Sequence, residues 1–118
     1  MKPASAKSKG RRFQQELRDI ILENFNELEP DDVRSTGMGQ PGEDLLLSPA
    51  ARKVFPFAVE AKNQETTSIW QWMKQAEENG NGHTPLVVFT RNRSKTYACL
   101  EFEDLMKLVI ELYELKNK

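Results

Sequence analysis

Near the middle of the chain Glu60 and Lys62, two residues apart, interrupt a run that is otherwise apolar, Phe57-Ala58-Val59 before Ala61. Side chains alternate along a strand, so the acid and the lysine project from one face, where another Val or Thr is the ordinary occupant. Burying such a pair is costly unless something compensates; the alternative is a solvated strand face or strand end carrying an i, i+2 ion pair. Asp44 weighs toward the first reading. It precedes Leu45-Leu46-Leu47, which puts a second acid at the mouth of a neighbouring strand. Two carboxylates converging on one spot suit a hard divalent cation such as Mg²⁺. That constellation fits phosphodiester hydrolysis, with the cation holding a phosphate oxygen and acidifying a bound water while the Lys62 ammonium meets developing charge. Glu16 flanks an apolar helical stripe, one turn from Phe13 and Ile20. Periodicity does not single it out, because Glu23 takes nearly the same flank and both then read as solvated helix acids.

The elements that must position these groups follow from pattern. Ser8 can cap a helix in which Phe13, Leu17, Ile20, Ile21, Phe25 and Leu28 keep the helical period, ending before Pro30. Residues 31–42 are turn-rich, with Gly37, Gly39, Pro41 and Gly42, and admit a short strand over Val33–Thr36. Strands are predicted over Glu43–Ser48 and Val54–Lys62, separated by a Pro-Ala-Ala-Arg-Lys turn region, with Pro56 marking an edge or bulge. A helix from Ser68 carries Ile69, Trp72, Met73 and Ala76 on one face and ends at Asn79-Gly80. Strands over Leu86–Thr90 and Thr96–Glu101 flank the basic turn Arg91-Asn92-Arg93-Ser94, and a last helix covers Glu103–Leu115. The order is that of an α/β sandwich with a mixed sheet.

Composition sets the outer bounds. At 118 residues, 38% hydrophobic and 30% charged, the chain can bury one core, so residues 9–118 are expected to form a single domain after a mobile basic arm, residues 1–8. Cys99 has no disulfide partner, and one cysteine with one histidine, His83, cannot build a structural zinc site. No run is apolar enough for a membrane helix or a signal peptide, and a cytoplasmic location is expected. The formal net charge of -1 argues at first against a nucleic-acid partner, but the charge is unevenly spread. Residues 1–12 carry five cations and no acid, and Arg91, Arg93 and Lys95 form a second cluster.

Taken in order, these residues resemble a known family. Asp44, a variable stretch and then Glu60-Ala61-Lys62 is similar to the metal-binding signature of the PD-(D/E)XK nuclease superfamily, and the surroundings resemble its archaeal and phage Holliday-junction resolvase branch. Lys9-Gly10-Arg11-Arg12 before Glu16 matches a basic-Gly segment opening a helix with a metal-site glutamate. Arg34-Ser35-Thr36-Gly37-Met38-Gly39 matches an Arg-x-x-Gly-x-Gly turn, and Gln75 falls where that branch has a helical glutamine. Glu43 departs from the pattern, standing where the signature has proline. The resemblance implies a restriction-endonuclease-like α-β-β-β-α-β core. It implies Glu16, Asp44, Glu60 and the Ala61 carbonyl as ligands of Mg²⁺, with Mn²⁺ able to substitute, Lys62 as charge stabiliser, and Gln75 as a phosphate-positioning or supporting residue. It also implies a homodimer that cuts branched DNA, since two symmetric cuts need two sites.

Lys9, Arg11, Arg12, Arg34, Arg52, Lys53, Arg91, Arg93 and Lys95 are the candidate phosphate contacts, each also readable as a solvated loop cation. Trp70 and Trp72 could stack on bases, with core packing the simpler role for Trp72. The broad apolar face of the last helix suits sheet cover or a dimer interface. The rival functions are a nuclease of the same fold acting on flaps, nicks or a short duplex sequence, and a DNA-binding accessory module without activity. The small size hints at a phage or mobile-element source.

Overall fold

The computed structural model describes residues 3–37 and 42–118. Lys2 and the Met38-Gly39 part of the turn motif lie outside the described residues, as does Pro41. Helix α1 runs from Pro3 to Asn24, so residues 3–8, read above as an arm, form its first turns. Proline is well placed in a first turn, and Ala and Lys at positions 4, 6 and 7 are strong helix formers, so the helix begins upstream of the Ser8 hydroxyl.

A 3₁₀ turn over Pro30–Asp32 leads into β1, Val33–Ser35, which pairs antiparallel with β2, Leu45–Leu47. The segment read as a turn after β2 is a short helix, α2, Pro49–Val54. Ser48 Oγ accepts the Ala51 N–H at 3.1 Å and donates to Asp32 at 2.6 Å, so one hydroxyl caps α2 and ties it to the 3₁₀ turn. Six residues are too few for a helical period to show in sequence.

Strand β3, Phe57–Asn63, lies parallel to β4, Thr84–Thr90, across the crossover helix α3, Ile69–Asn79. The edge strand β5, Tyr97–Cys99, pairs antiparallel with β4, and α4, Phe102–Lys116, closes the chain. Pro56 precedes β3 and costs the ladder no donor. The result is a restriction-endonuclease-like α/β core in which a three-stranded mixed sheet, order β3-β4-β5, is flanked by helices. The two sheets meet where Asp44 N–H donates to the Val59 carbonyl at 2.9 Å.

The alternation along β3 divides the core in two. Val59 and Ala61 face α1, where Phe13, Leu17, Ile21, Val33 and Leu45 form the larger cluster. On the opposite face Val87 packs beneath Trp72 and Ala76 of α3. Trp72 is thus a core residue, 4% exposed, whereas Trp70 is 87% exposed. No residue of α4 is buried, and Val109, Leu112, Tyr113 and Leu115 stand in solvent on it.

Candidate active site

Glu60 and Lys62 share the face of β3 that α3 covers. The Glu60 side chain is almost wholly enclosed, and Lys62 Nζ lies 3.4 Å from its Oε1. Asn79, the last residue of α3, also hydrogen-bonds the Glu60 carboxylate. Gly80 follows it directly: a Cβ there would lie 3.0 Å from the Ala76 carbonyl and 3.2 Å from the His83 carbonyl, so a larger residue would crowd the turn that ends α3.

Asp44 reaches the same place from the start of β2. Its Oδ2 accepts the Ala61 N–H at 2.7 Å, while its own N–H is held by Val59. The position is braced by the preceding residue. Glu43, 8% exposed, forms a two-pronged ion pair with Arg52 of α2 at 2.9 and 3.2 Å, and Arg52 also donates to the Phe57 carbonyl at 3.0 Å. The glutamate standing where the signature has proline therefore clamps the mouth of β2 to the start of β3.

The electrostatics of this cluster are unbalanced. Burial pushes the Glu60 carboxyl up to about 7, and the nearby Asp44 charge adds to the rise while Lys62 and Asn79 oppose it. Asp44 is also raised, chiefly by burial, against the opposing Ala61 N–H and Lys62. Two carboxylates and one ammonium in a partly desolvated site leave an unanswered negative charge. A hard divalent cation with oxygen ligands fits that donor set.

The other predicted site residues lie apart from this pair. Among the described residues no three His, Cys, Asp or Glu side chains come together as a metal cluster. Glu16 is exposed on α1 and lines a cleft of about 310 Å³ with Lys9, Arg12 and Asn63. Gln75 is exposed on α3, one turn before Asn79. In sequence Asn79 reads only as a helix stop; its one further signal is that it lies one turn beyond Gln75.

The cations divide into two groups. Arg11, Arg12, Arg34, Lys53, Arg91, Arg93 and Lys95 are exposed. Lys9 and Arg52, counted above with the phosphate contacts, are instead engaged by carboxylates, Lys9 with Glu65 at 3.4 Å and Arg52 with Glu43. Glu65 also accepts the Asn92 N–H at 2.8 Å. It thereby draws the basic start of α1 and the basic β4–β5 turn, far apart in sequence, to one side of the molecule.

Residues 5–117 match the model of a family described as "Phage putative PDDEXK endonuclease". The chain belongs to this family. No curated protein and no solved structure matches it. Membership in the PDDEXK endonuclease family makes the chain a nuclease with DNA as its implied substrate, in a superfamily that generally uses divalent metal ions. No described helix is long and apolar enough to cross a membrane.

Proposed function

We propose that this PDDEXK family member is a Mg²⁺-dependent DNA endonuclease, with Mn²⁺ able to substitute, whose centre is Asp44, Glu60 and Lys62. The observation that supports the reading is the Glu60 carboxyl, buried beside Asp44 and pushed up to about 7. Asp44, Glu60 and the Ala61 carbonyl are the residues that would hold the metal, and Glu16, exposed on α1, is the further ligand that the family pattern offers. A bound divalent cation supplies Lewis acidity toward the phosphodiester and toward water.

The chain's own residues do the rest. The Ala61 N–H fixes the rotamer of Asp44, and Asn79 fixes that of Glu60. The Lys62 ammonium, anchored on Glu60, stabilises charge as it develops on the phosphate during attack by water. Gln75, on the exposed side of α3, positions a neighbouring phosphate. Arg11, Arg12, Arg34, Lys53, Arg91, Arg93 and Lys95 hold the backbone at either side, while Lys9 and Arg52 keep the loops that present them in place.

The preferred substrate in this reading is branched DNA of the four-way-junction type, cut by a homodimer. The exposed apolar face of α4 supports the dimer, because no residue of the helix is buried within one chain. Junction, flap, nicked and plain duplex DNA, each with and without Mg²⁺, separate the substrates. Symmetric nicking of the junction alone is the expected result, and equal cutting of plain duplex would replace it with a duplex nuclease. Asp44→Ala or Glu60→Ala should lower the rate on the order of 10²-fold or more while DNA binding persists. An unchanged rate in both variants would remove the site assignment.

A further inference from the structure

The face of the sheet that carries Glu60 and Lys62 holds a second constellation. Lys62 is the register partner of Phe89 on β4, and Phe89 is that of Tyr97 on β5. The three side chains thus form one row across the strands, its ends ~10 Å apart at the usual strand spacing. The Phe89 and Tyr97 rings lie 6.0 Å apart, and Trp72 backs Phe89 at 5.8 Å. Beside this row Gln64, Arg91 and Ser94, with Thr67 and Thr90, complete a cavity of about 290 Å³.

The lining defines what fits. Three aromatic rings form one wall, and an amide, three hydroxyls, from Thr67, Thr90 and Ser94, and a guanidinium form the rest. The volume is at the low end for small-molecule sites, enough for a single planar ring system. Tyr97 is 55% exposed, so its ring is open to a stacking partner. The rim is fixed in place: Thr90 Oγ1 donates to the Lys95 carbonyl at 3.1 Å, Asn92 is tied to Glu65, and Arg93 holds a left-handed backbone, φ 60°. A flat ring with a hydrogen-bonding edge, attached to an anion, is the chemistry these groups complement together.

We infer that this cavity takes one unpaired nucleobase of a DNA strand whose backbone passes Lys62. The inference rests on the nuclease reading for the strand's path. A paired base has both faces stacked and its edge occupied, so only one that has left the helix can enter. The span from Lys62 to Tyr97 is on the order of three base steps, which sets the captured base a short way along the strand from the reacting phosphate. The cavity would make the protein sensitive to an extrahelical base as well as to backbone shape.

The test uses the full chain in EDTA, where no cutting is expected, and two labelled duplexes differing at one site. One carries a single unpaired thymine, the other an abasic residue in its place, and anisotropy reports binding. The expected result is about tenfold tighter binding of the thymine duplex, a preference that Tyr97→Ala removes and Tyr97→Phe keeps, with binding of the abasic duplex unchanged by either. Equal binding of both duplexes by the unmodified protein overturns the pocket, and needs no variant to fold. Cleavage of the same duplexes in Mg²⁺ is scored separately. Cutting without a base preference rejects the pocket and leaves the nuclease reading intact; a base preference without cutting supports the pocket and rejects that reading.

Discussion

The side chain of Asn79, at the last residue of α3, hydrogen-bonds the carboxylate of Glu60 on β3. A helix end is thereby coupled to the titration of a buried acid, because the bond favours the charged form. Asn79→Ala should raise the Glu60 carboxyl further and move the acid limb of the cleavage pH profile upward, with activity near neutrality falling about tenfold. Asn79→Asp introduces a third negative charge and should move the limb further the same way. A pH profile unchanged in both variants would assign Asn79 a packing role only.

Glu60 also makes the metal-free fold sensitive to pH. Its carboxyl titrates near 4.5 when unperturbed and at about 7 in the folded protein. Between those values the folded state binds more protons than the unfolded one, so stability is greatest below about pH 4.5 and declines as pH rises through about 7. The loss is on the order of 2–3 kcal/mol. Urea midpoints in EDTA at pH 5, 6, 7 and 8 should fall accordingly, and Glu60→Gln should remove most of the slope.

Mg²⁺ should reverse that loss. A cation bound only by the folded state adds about 2.7 kcal/mol at a hundred times its Kd, and it must displace the Glu60 proton to bind. The rise in Tm on adding Mg²⁺ is therefore expected to be larger at pH 8 than at pH 6, and absent in Asp44→Ala. An equal rise at both pH values would mean that the cation binds elsewhere.

The Glu43–Arg52 clamp is a stability element rather than part of the chemistry. Removing the carboxylate leaves the Arg52 charge partly buried with only the Phe57 carbonyl to answer it, so Glu43→Ala should cost about 2–4 kcal/mol. Exchanging the two residues tests the geometry of the bridge directly. Denaturant melts of the single and double alanine variants form a cycle whose coupling should be favourable and larger than that of an exposed pair.

The apolar side of α4 predicts a concentration-dependent assembly. Val109→Glu and Leu112→Glu, at positions 46% and 51% exposed in one chain, should leave the monomer folded and abolish a sedimenting dimer. If the unmodified protein sediments as a monomer at micromolar concentration, the homodimer is excluded under those conditions.

Much of this was legible in the sequence for identifiable reasons. The break in apolar pattern at Glu60 and Lys62 marks the strand that carries the proposed centre, because a period of two leaves no ordinary reason for charge on a covered face. The long helices showed their period, and α3 ended where its asparagine and glycine indicated. What escaped depends on contacts between distant segments. Nothing local distinguishes Arg52, taken up by Glu43 nine residues earlier, from Lys53 beside it, which is exposed. Lys9 is likewise set apart from Arg11 and Arg12 only by the arrival of Glu65. The start of α1 lies upstream of Ser8 because the helix-forming residues before it outweigh a good cap.

The hydrogen bonds that join Asp44 to Val59 and Ala61 are also the seam between the molecule's two sheets. Local opening there would part the start of β2 from β3 and separate the two acids in the same event. The Ala61 amide should therefore be a built-in reporter: its hydrogen-exchange protection measures, in one signal, how often the seam opens and what fraction of molecules holds Asp44 beside Glu60.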